Sequence, residues 1–153
     1  MATKTIDCSG ITVKLLQPTN YELVFGRLPN TVFACQEVTP PDVTFGTATA
    51  AFSAHDVHLE GEKLTFGTFK AKVLHDEQLS SYFELYNWMK QISVLGAHAE
   101  YTSDCHLYLG SRRFYMEGVY PTALLNSVFS SILSDTPPMT FDVEFQFIKY
   151  DLY

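Results

Sequence analysis

Residues 67–92, GTFKAKVLHDEQLSSYFELYNWMKQI, change their period half-way along. Up to Leu74 the side chains alternate. Phe69, Ala71 and Val73 fall on one face and Thr68, Lys70 and Lys72 on the other, the two-residue period of a strand with one buried side. From Asp76 the apolar residues recur as Leu79, Phe83, Tyr86 and Met89, which is helical spacing. The spacing predicts a helix over about 76–92 whose core-facing contacts are Leu79, Phe83, Tyr86 and Met89. Asp76 suits its N-cap, Glu77 places negative charge in the first turn where the helix dipole favours it, and Gly96 ends the region.

Outward from this stretch nearly everything reads as strand. Ile11, Val13 and Leu15 alternate, as do Tyr21, Leu23 and Phe25; TVFACQEV (31–38) follows and is stopped by Pro40-Pro41. TATAAFSAHDVHLEG (47–61) holds a long strand, with Ser53, His55, Val57 and Leu59 on one face and Ala54, Asp56 and His58 on the other. LTFGTFKAKVL (64–74) is the next, and LEGEKL between them looks like a hairpin turn. In CHLYLGSRRFYMEGVYPT (105–122), Gly110-Ser111 suits a two-residue type II′ turn between two strands. ALLNSVFSSIL (123–133) fits a helix or a twisted strand equally. In MTFDVEFQFIKYDLY (139–153), Phe141, Val143, Phe145 and Phe147 share a face opposite Thr140, Asp142, Glu144 and Gln146. The phase then flips to Ile148, Tyr150 and Leu152, which predicts a β-bulge near Phe147 and a strand that serves two surfaces. The 153 residues show no repeat, linker or low-complexity tract, so a single domain spanning 1–153 is expected.

The chemistry on offer is thin. A formal charge of −7 argues against sequence-nonspecific clamping of nucleic acid, which needs a basic surface. Apolar residues at 46% mark a globular chain, yet no run approaches the roughly 18 residues of a membrane span, and the N-terminus lacks the apolar stretch of a signal peptide. Cys8, Cys35 and Cys105 have no paired spacing and read as reduced intracellular thiols. His55 and His58 point apart on a strand, as do Cys105 and His106, so neither pair makes a metal site or a nucleophile with its base. Asp76-Glu77 is explained by a helix N-terminus. Lys70, Lys72, Arg112 and Arg113 read as solvated strand faces and a hairpin tip. No phosphate loop, Cys-x-x-Cys or Gly-x-Ser-x-Gly is present. No catalytic residue, metal ligand or cofactor follows from these residues.

One stretch is uncomfortable in a lone chain. TPPDVTFGTATAAFSAH (39–55) carries one formal charge in 17 residues and is rich in β-formers, a composition that invites strand pairing between chains. It is covered either by the protein's own core or by a neighbouring copy.

Four blocks in order, YELVF…FACQEVTPP, VHLEGEKLTFGTFKAKVLHDEQLSSYFELYNW, MEGVYPT and MTFDVEFQFIKYDL, resemble the tail tube proteins of contractile-tailed bacteriophages and the related inner tubes of contractile injection systems. The blocks cover most of the chain. A short connection between Gly96 and Cys105 and an unfamiliar N-terminal arm, residues 1–18, depart from the pattern. The resemblance implies a mainly β fold, an antiparallel two-sheet sandwich or small barrel with one flanking helix. It also implies a structural virion protein: hexameric rings that stack into a tube through which DNA passes without specific binding, assembled in the host cytoplasm. The implied partners are further copies, tail sheath, baseplate and tube terminator proteins, with no membrane insertion and no cofactor. On that reading Val43, Thr44, Phe45, Gly46, Ala48, Ala50, Phe52 and Ala54, with the N-terminal arm, are the candidates for ring stacking. Asp142 and Glu144 are the candidates for the lumen. The alternatives are a related ring at the baseplate or tube end, the inner tube of a non-phage injection system, or a monomeric β-barrel ligand binder.

Overall fold

In a computed structural model of the chain, the residues described are 5–8, 11–14, 16, 19–28, 35–96, 98–130 and 138–153. The elements in order are β1 (Thr5–Cys8), β2 (Ile11–Lys14), β3 (Tyr21–Phe25), β4 (Cys35–Thr39), β5 (Val43–Ala51), β6 (Asp56–Phe66), β7 (Phe69–Leu74), α1 (Ser80–Leu95), α2 (His98–Tyr101), β8 (Ser103–Leu109), β9 (Arg112–Leu125), β10 (Thr140–Gln146) and β11 (Lys149–Leu152). Every pairing is antiparallel. Part of the expected N-terminal arm is the hairpin β1–β2, which pairs only with itself among the described residues.

The long strand β9 belongs to two sheets. Its first half pairs with β8 and β11, giving β3-β8-β9-β11; its second half pairs with β10, giving β9-β10-β7-β4. Between the halves stands Gly118 with φ +67°, a conformation that glycine adopts without a Cβ clash. A Cβ there would also sit 2.6 Å from Ile148 Cδ1. Relative to β8, β9 carries one extra residue between Met116 and Val119, so the strand is bulged where it bends. Opposite the bend, β10 ends at Gln146 and β11 resumes at Lys149. Gln146 pairs with Tyr120 and Lys149 with Glu117, so no residue is inserted near Phe147. The phase flip expected there is a shared kink of two paired strands, and the bulge lies on the partner.

The bend turns the two sheets face to face. The alternation in β7 and β10 delivers Phe69, Ala71, Val73, Phe141, Val143 and Phe145 from one sheet; Phe25, Cys105, Leu107, Met116 and Val119 come from the other, all buried in one core. Phe25 meets Phe145 across it at 5.4 Å between ring centroids. Burying each such side chain stabilises by about 1.5–3 kcal/mol. The β8–β9 hairpin turns at Gly110-Ser111 as expected, with Gly110 left-handed and Leu109 opposite Arg112.

The helix differs from expectation in start and face. It begins at Ser80 rather than 76, and its first turn holds no acid. Asp76 still serves it from outside, its carboxylate accepting the Ser80 N–H at 2.6 Å. A hydrogen bond from the Ser80 side chain first, and this backbone bond after it, hold the Asp76 carboxyl below its usual range. Gly96 ends it in the left-handed conformation. The buried positions are Ser81, Leu85 and Trp88, with Ile92 packed beside them. Phe83 is 53% and Tyr86 49% exposed, while Leu79 and Met89 are half-buried. At 100° per residue, Phe83 stands about 200° from Leu85, so most of the expected inward stripe faces away from the core. Trp88 decides the orientation. Its ring packs edge-on to Phe25 at 5.8 Å, its N–H donates to the Tyr101 carbonyl, and the Arg27 guanidinium lies over it at 5.4 Å.

The stretch 43–66 also differs. LEGEKL is not a turn: Gly61 and Glu62 lie inside β6, and the chain reverses at Phe52–His55, where the Phe52 N–H donates to the His55 carbonyl at 3.1 Å. The long strand expected within 47–61 therefore starts at Asp56, and Ser53 to His55 belong to the turn. Gly61 is needed for close approach, since a Cβ on it would lie 2.1 Å from the Gly46 carbonyl oxygen. The segment ALLNSVFSSIL continues β9 as far as Leu125 and is irregular over 126–130; the rest lies outside the described residues.

Truncation separates the two faces of α1. Leu85→Ala or Trp88→Ala is expected to cost about 2–5 kcal/mol, whereas Phe83→Ala should stay within about 0.5 kcal/mol; urea unfolding midpoints measure both. Between β7 and α1, His75 has its ring 4.7 Å from Phe141 and its Nε2 3.2 Å from Ser127 Oγ, with Nδ1 buried and without a partner among the described residues. Burial lowers its pKa, against a partial opposing pull from Asp76. The unfolded chain therefore takes up this proton first. The His75 contribution is present above the ordinary histidine range and is lost as pH falls through about 6.5 and below. His75→Gln should flatten the stability-versus-pH slope between pH 7.5 and 5.5, and an unchanged slope would refute the assignment.

Candidate assembly surfaces

The polar side of β9-β10-β7-β4 carries the two residues expected to face a lumen. Strand alternation puts Asp142 and Glu144 of β10 beside Lys72 and Lys70 of β7, which in turn stand beside Glu37 and Thr39 of β4. Lys70 Nζ lies 3.2 Å from Glu144 Oε1, and Lys72 Nζ lies 3.5 Å from Glu37 Oε2. Asp142 Oδ2 accepts from Asn126 Nδ2 at 2.5 Å. These residues line one shallow groove with Ala71 and Leu125. Three carboxylates face two lysines, a formal sum of −1, so the surface is a ladder of mixed charge rather than an acidic wall. Both ion pairs are solvent-exposed, and such pairs contribute only about 0–1 kcal/mol each. Sequence reading placed the lysines on an exposed strand face but missed their partners. Cross-strand neighbours come from segments distant in sequence, and only their period was visible.

The second surface is the hairpin of β5 and β6. Among the described residues each strand pairs only with the other. Its base is fixed by the Gly67 N–H donating to the Asp42 carbonyl at 2.8 Å and by Phe66 against Tyr150 at 5.2 Å. Beyond that it is a two-stranded arm with little cover on either side. Val43, Thr44, Phe45, Gly46, Ala48, Phe52 and Ala54 are exposed, and Ala50 is half-buried. Phe45 is 54% exposed and Phe52 62%; Leu59 and Leu64 on β6 are exposed as well. An isolated two-stranded hairpin is marginally stable in water, so the arm holds apolar surface that its own chain does not cover.

The third surface is the outward stripe of α1, where Phe83, Tyr86 and Val94 are exposed around Lys90. Two of its residues, Phe83 and Tyr86, are ones the helical spacing assigned to the inward face.

Little in the remaining chemistry competes with these surfaces. Burial pushes the Cys35 thiol up to about 11 and the Cys105 thiol higher still, which keeps both protonated and poor as nucleophiles near neutral pH. Cys105 is buried in the core, while His106 stacks on Tyr115 at 4.9 Å on the other side of β8. Among the described residues no group of three or more His, Cys, Asp or Glu could hold a metal, and no helix is long and apolar enough to cross a membrane.

No family model matches the chain, and no curated protein sequence matches it. Solved structures do. A chain from the cryo-EM structure of the sheath/tube terminator of an extracellular contractile injection system, PVC, in its extended state superposes with a TM-score of 0.69 at 11% identity, covering 92% of this chain and 98% of that one. A chain from the tube-terminating cap of the anti-feeding prophage gives 0.67 at 12% identity, covering 94% of each. One from the six-fold symmetrised baseplate of the same prophage gives 0.59 at 10%, covering 87% of this chain and 90% of that one. At such identities the likeness is one of fold, and it runs nearly end to end: this chain has the fold of chains found in contractile injection systems.

Proposed function

We propose that the protein is a non-catalytic structural subunit of a contractile injection apparatus, forming rings that stack along a hollow axis. The observation that carries this reading is the bare β5–β6 arm on an otherwise complete sandwich. A solitary protein gains nothing from such an arm, and an edge left open is a hazard that ring closure removes. The fold likeness to chains of tube-terminator, cap and baseplate structures, one of them six-fold symmetrised, supports the same class of role.

The four-stranded sheet suits the inner wall. With four antiparallel strands, its outermost members β4 and the second half of β9 run in opposite directions. Among the described residues each pairs only on its inner side. Copies set edge to edge would therefore continue one antiparallel sheet around a ring, with Glu37, Lys70, Lys72, Asp142 and Glu144 facing the bore. A wall of alternating charge neither traps nor strongly repels a passing polyanion such as DNA. Partners in the apparatus would be further copies and the sheath, baseplate or terminating proteins at its ends. The superposition on cap and terminator structures favours a ring at the baseplate or tube end of such an apparatus over the tail tube of a phage.

Phe45 is exposed, so a charge there leaves the fold intact while spoiling a contact between copies. Phe45→Asp, checked for an unchanged circular dichroism melt, should stop at monomers or single rings in light scattering at concentrations where the unmodified chain forms larger assemblies. Assemblies of normal length from that variant would refute the role of the arm.

A further inference from the structure

We infer that the outward stripe of α1 is the seat for the β5–β6 arm of a neighbouring copy. The inference rests on the ring-subunit reading and adds what that reading leaves unsaid, namely the surface on the next subunit that receives the arm.

The chain displays two apolar surfaces that its own core does not use. One is the arm, with Val43, Phe45, Leu59 and Leu64 exposed; the other is the helix stripe of Phe83, Tyr86 and Val94. They differ in form, since one is a two-stranded ribbon and the other a convex helix ridge. A contact between unlike patches is heterologous, and repeated heterologous contacts close into rings or run on as helical filaments. A single like-to-like contact would instead end at a dimer.

Length and charge favour this pairing. The nine residues of β5 span about 30 Å at about 3.3 Å each, and the 16 residues of α1 span about 24 Å at 1.5 Å each. The ribbon can therefore lie along most of the ridge. Lys90 stands in the middle of the helix stripe and Glu60 and Glu62 stand on β6, all three exposed. Among the described residues none of them makes an ion pair. The arm from Val43 to Phe66 has Asp56, Glu60 and Glu62 against Lys63, a formal −2, and it meets a ridge whose exposed charge is a single lysine. The pairing also accounts for the helix being apolar on two opposite sides. Leu85, Trp88 and Ile92 serve its own sandwich; Phe83, Tyr86 and Val94 serve the next one.

The test is photo-crosslinking with p-benzoylphenylalanine in place of Phe83, in assemblies of the purified full chain, with the joined peptides identified by mass spectrometry. Crosslinks from the helix to residues 43–66 of a second copy are expected. A companion variant, Lys90→Glu, should raise the concentration for half-assembly about tenfold, and Glu60→Lys with Glu62→Lys in the same chain should recover most of that loss. Assemblies that form normally while the probe joins some other surface, its own chain's arm or nothing would overturn the inference and leave the ring-subunit reading standing. Failure of the unmodified chain to assemble at any concentration would bring down both.

Discussion

Two strands of this fold bend together, and the rest of the sandwich is arranged around that bend. Gly118 takes a left-handed conformation in β9 exactly opposite the break between β10 and β11, with Ile148 filling the space where a Cβ would stand. Because the kink is shared, β9 hands its pairing from one sheet to the other with its register kept across the break, from Gln146 opposite Tyr120 to Lys149 opposite Glu117. The two apolar faces are thereby brought opposite each other, and Phe25 reaches Phe145. α1 adds Trp88 and Leu85 to that core, and Arg27 stacks over Trp88 and over Tyr101 from α2.

A core closed in this way has no use for what remains outside it. The β5–β6 arm and the outward helix stripe are surplus to the monomer, and both are more apolar than an ordinary solvent face. Burying several such side chains, at about 1.5–3 kcal/mol each when complete, is the scale of free energy that holds a modest interface once the cost of ordering two molecules is subtracted. The polar face of β9-β10-β7-β4 has the opposite character. Its two lysines are paired in place and Asp142 is held by Asn126, so this face can front water or a passing polymer.

Much of this was legible in the residues. The alternation of Phe69, Ala71 and Val73, and of Phe141, Val143 and Phe145, pointed to the buried side of each strand, and Gly110 and Gly96 marked a turn and a helix end. Other features were hidden for physical reasons. α1 is apolar on two sides, and periodicity cannot say which side meets the core; the serine at buried position 81 disguised the inner one. Gly61-Glu62 looked like a turn because a glycine needed for close approach to Gly46 has the same letter as one needed to reverse the chain. Lys70 and Lys72 looked merely solvated because Glu37 and Glu144 reach them from segments far away in sequence. The low charge of residues 39–55 was plain in the sequence. That they form one strand and the turn of a projecting hairpin was not, since it depends on where the chain turns.

The claim at the centre is that this chain is finished only by copies of itself. Negative-stain electron microscopy of the purified full chain, across a hundredfold range of concentration, addresses it most directly. The account predicts hollow rings in end view, alone or stacked into tubes. A uniform population of single small particles at every concentration would contradict it.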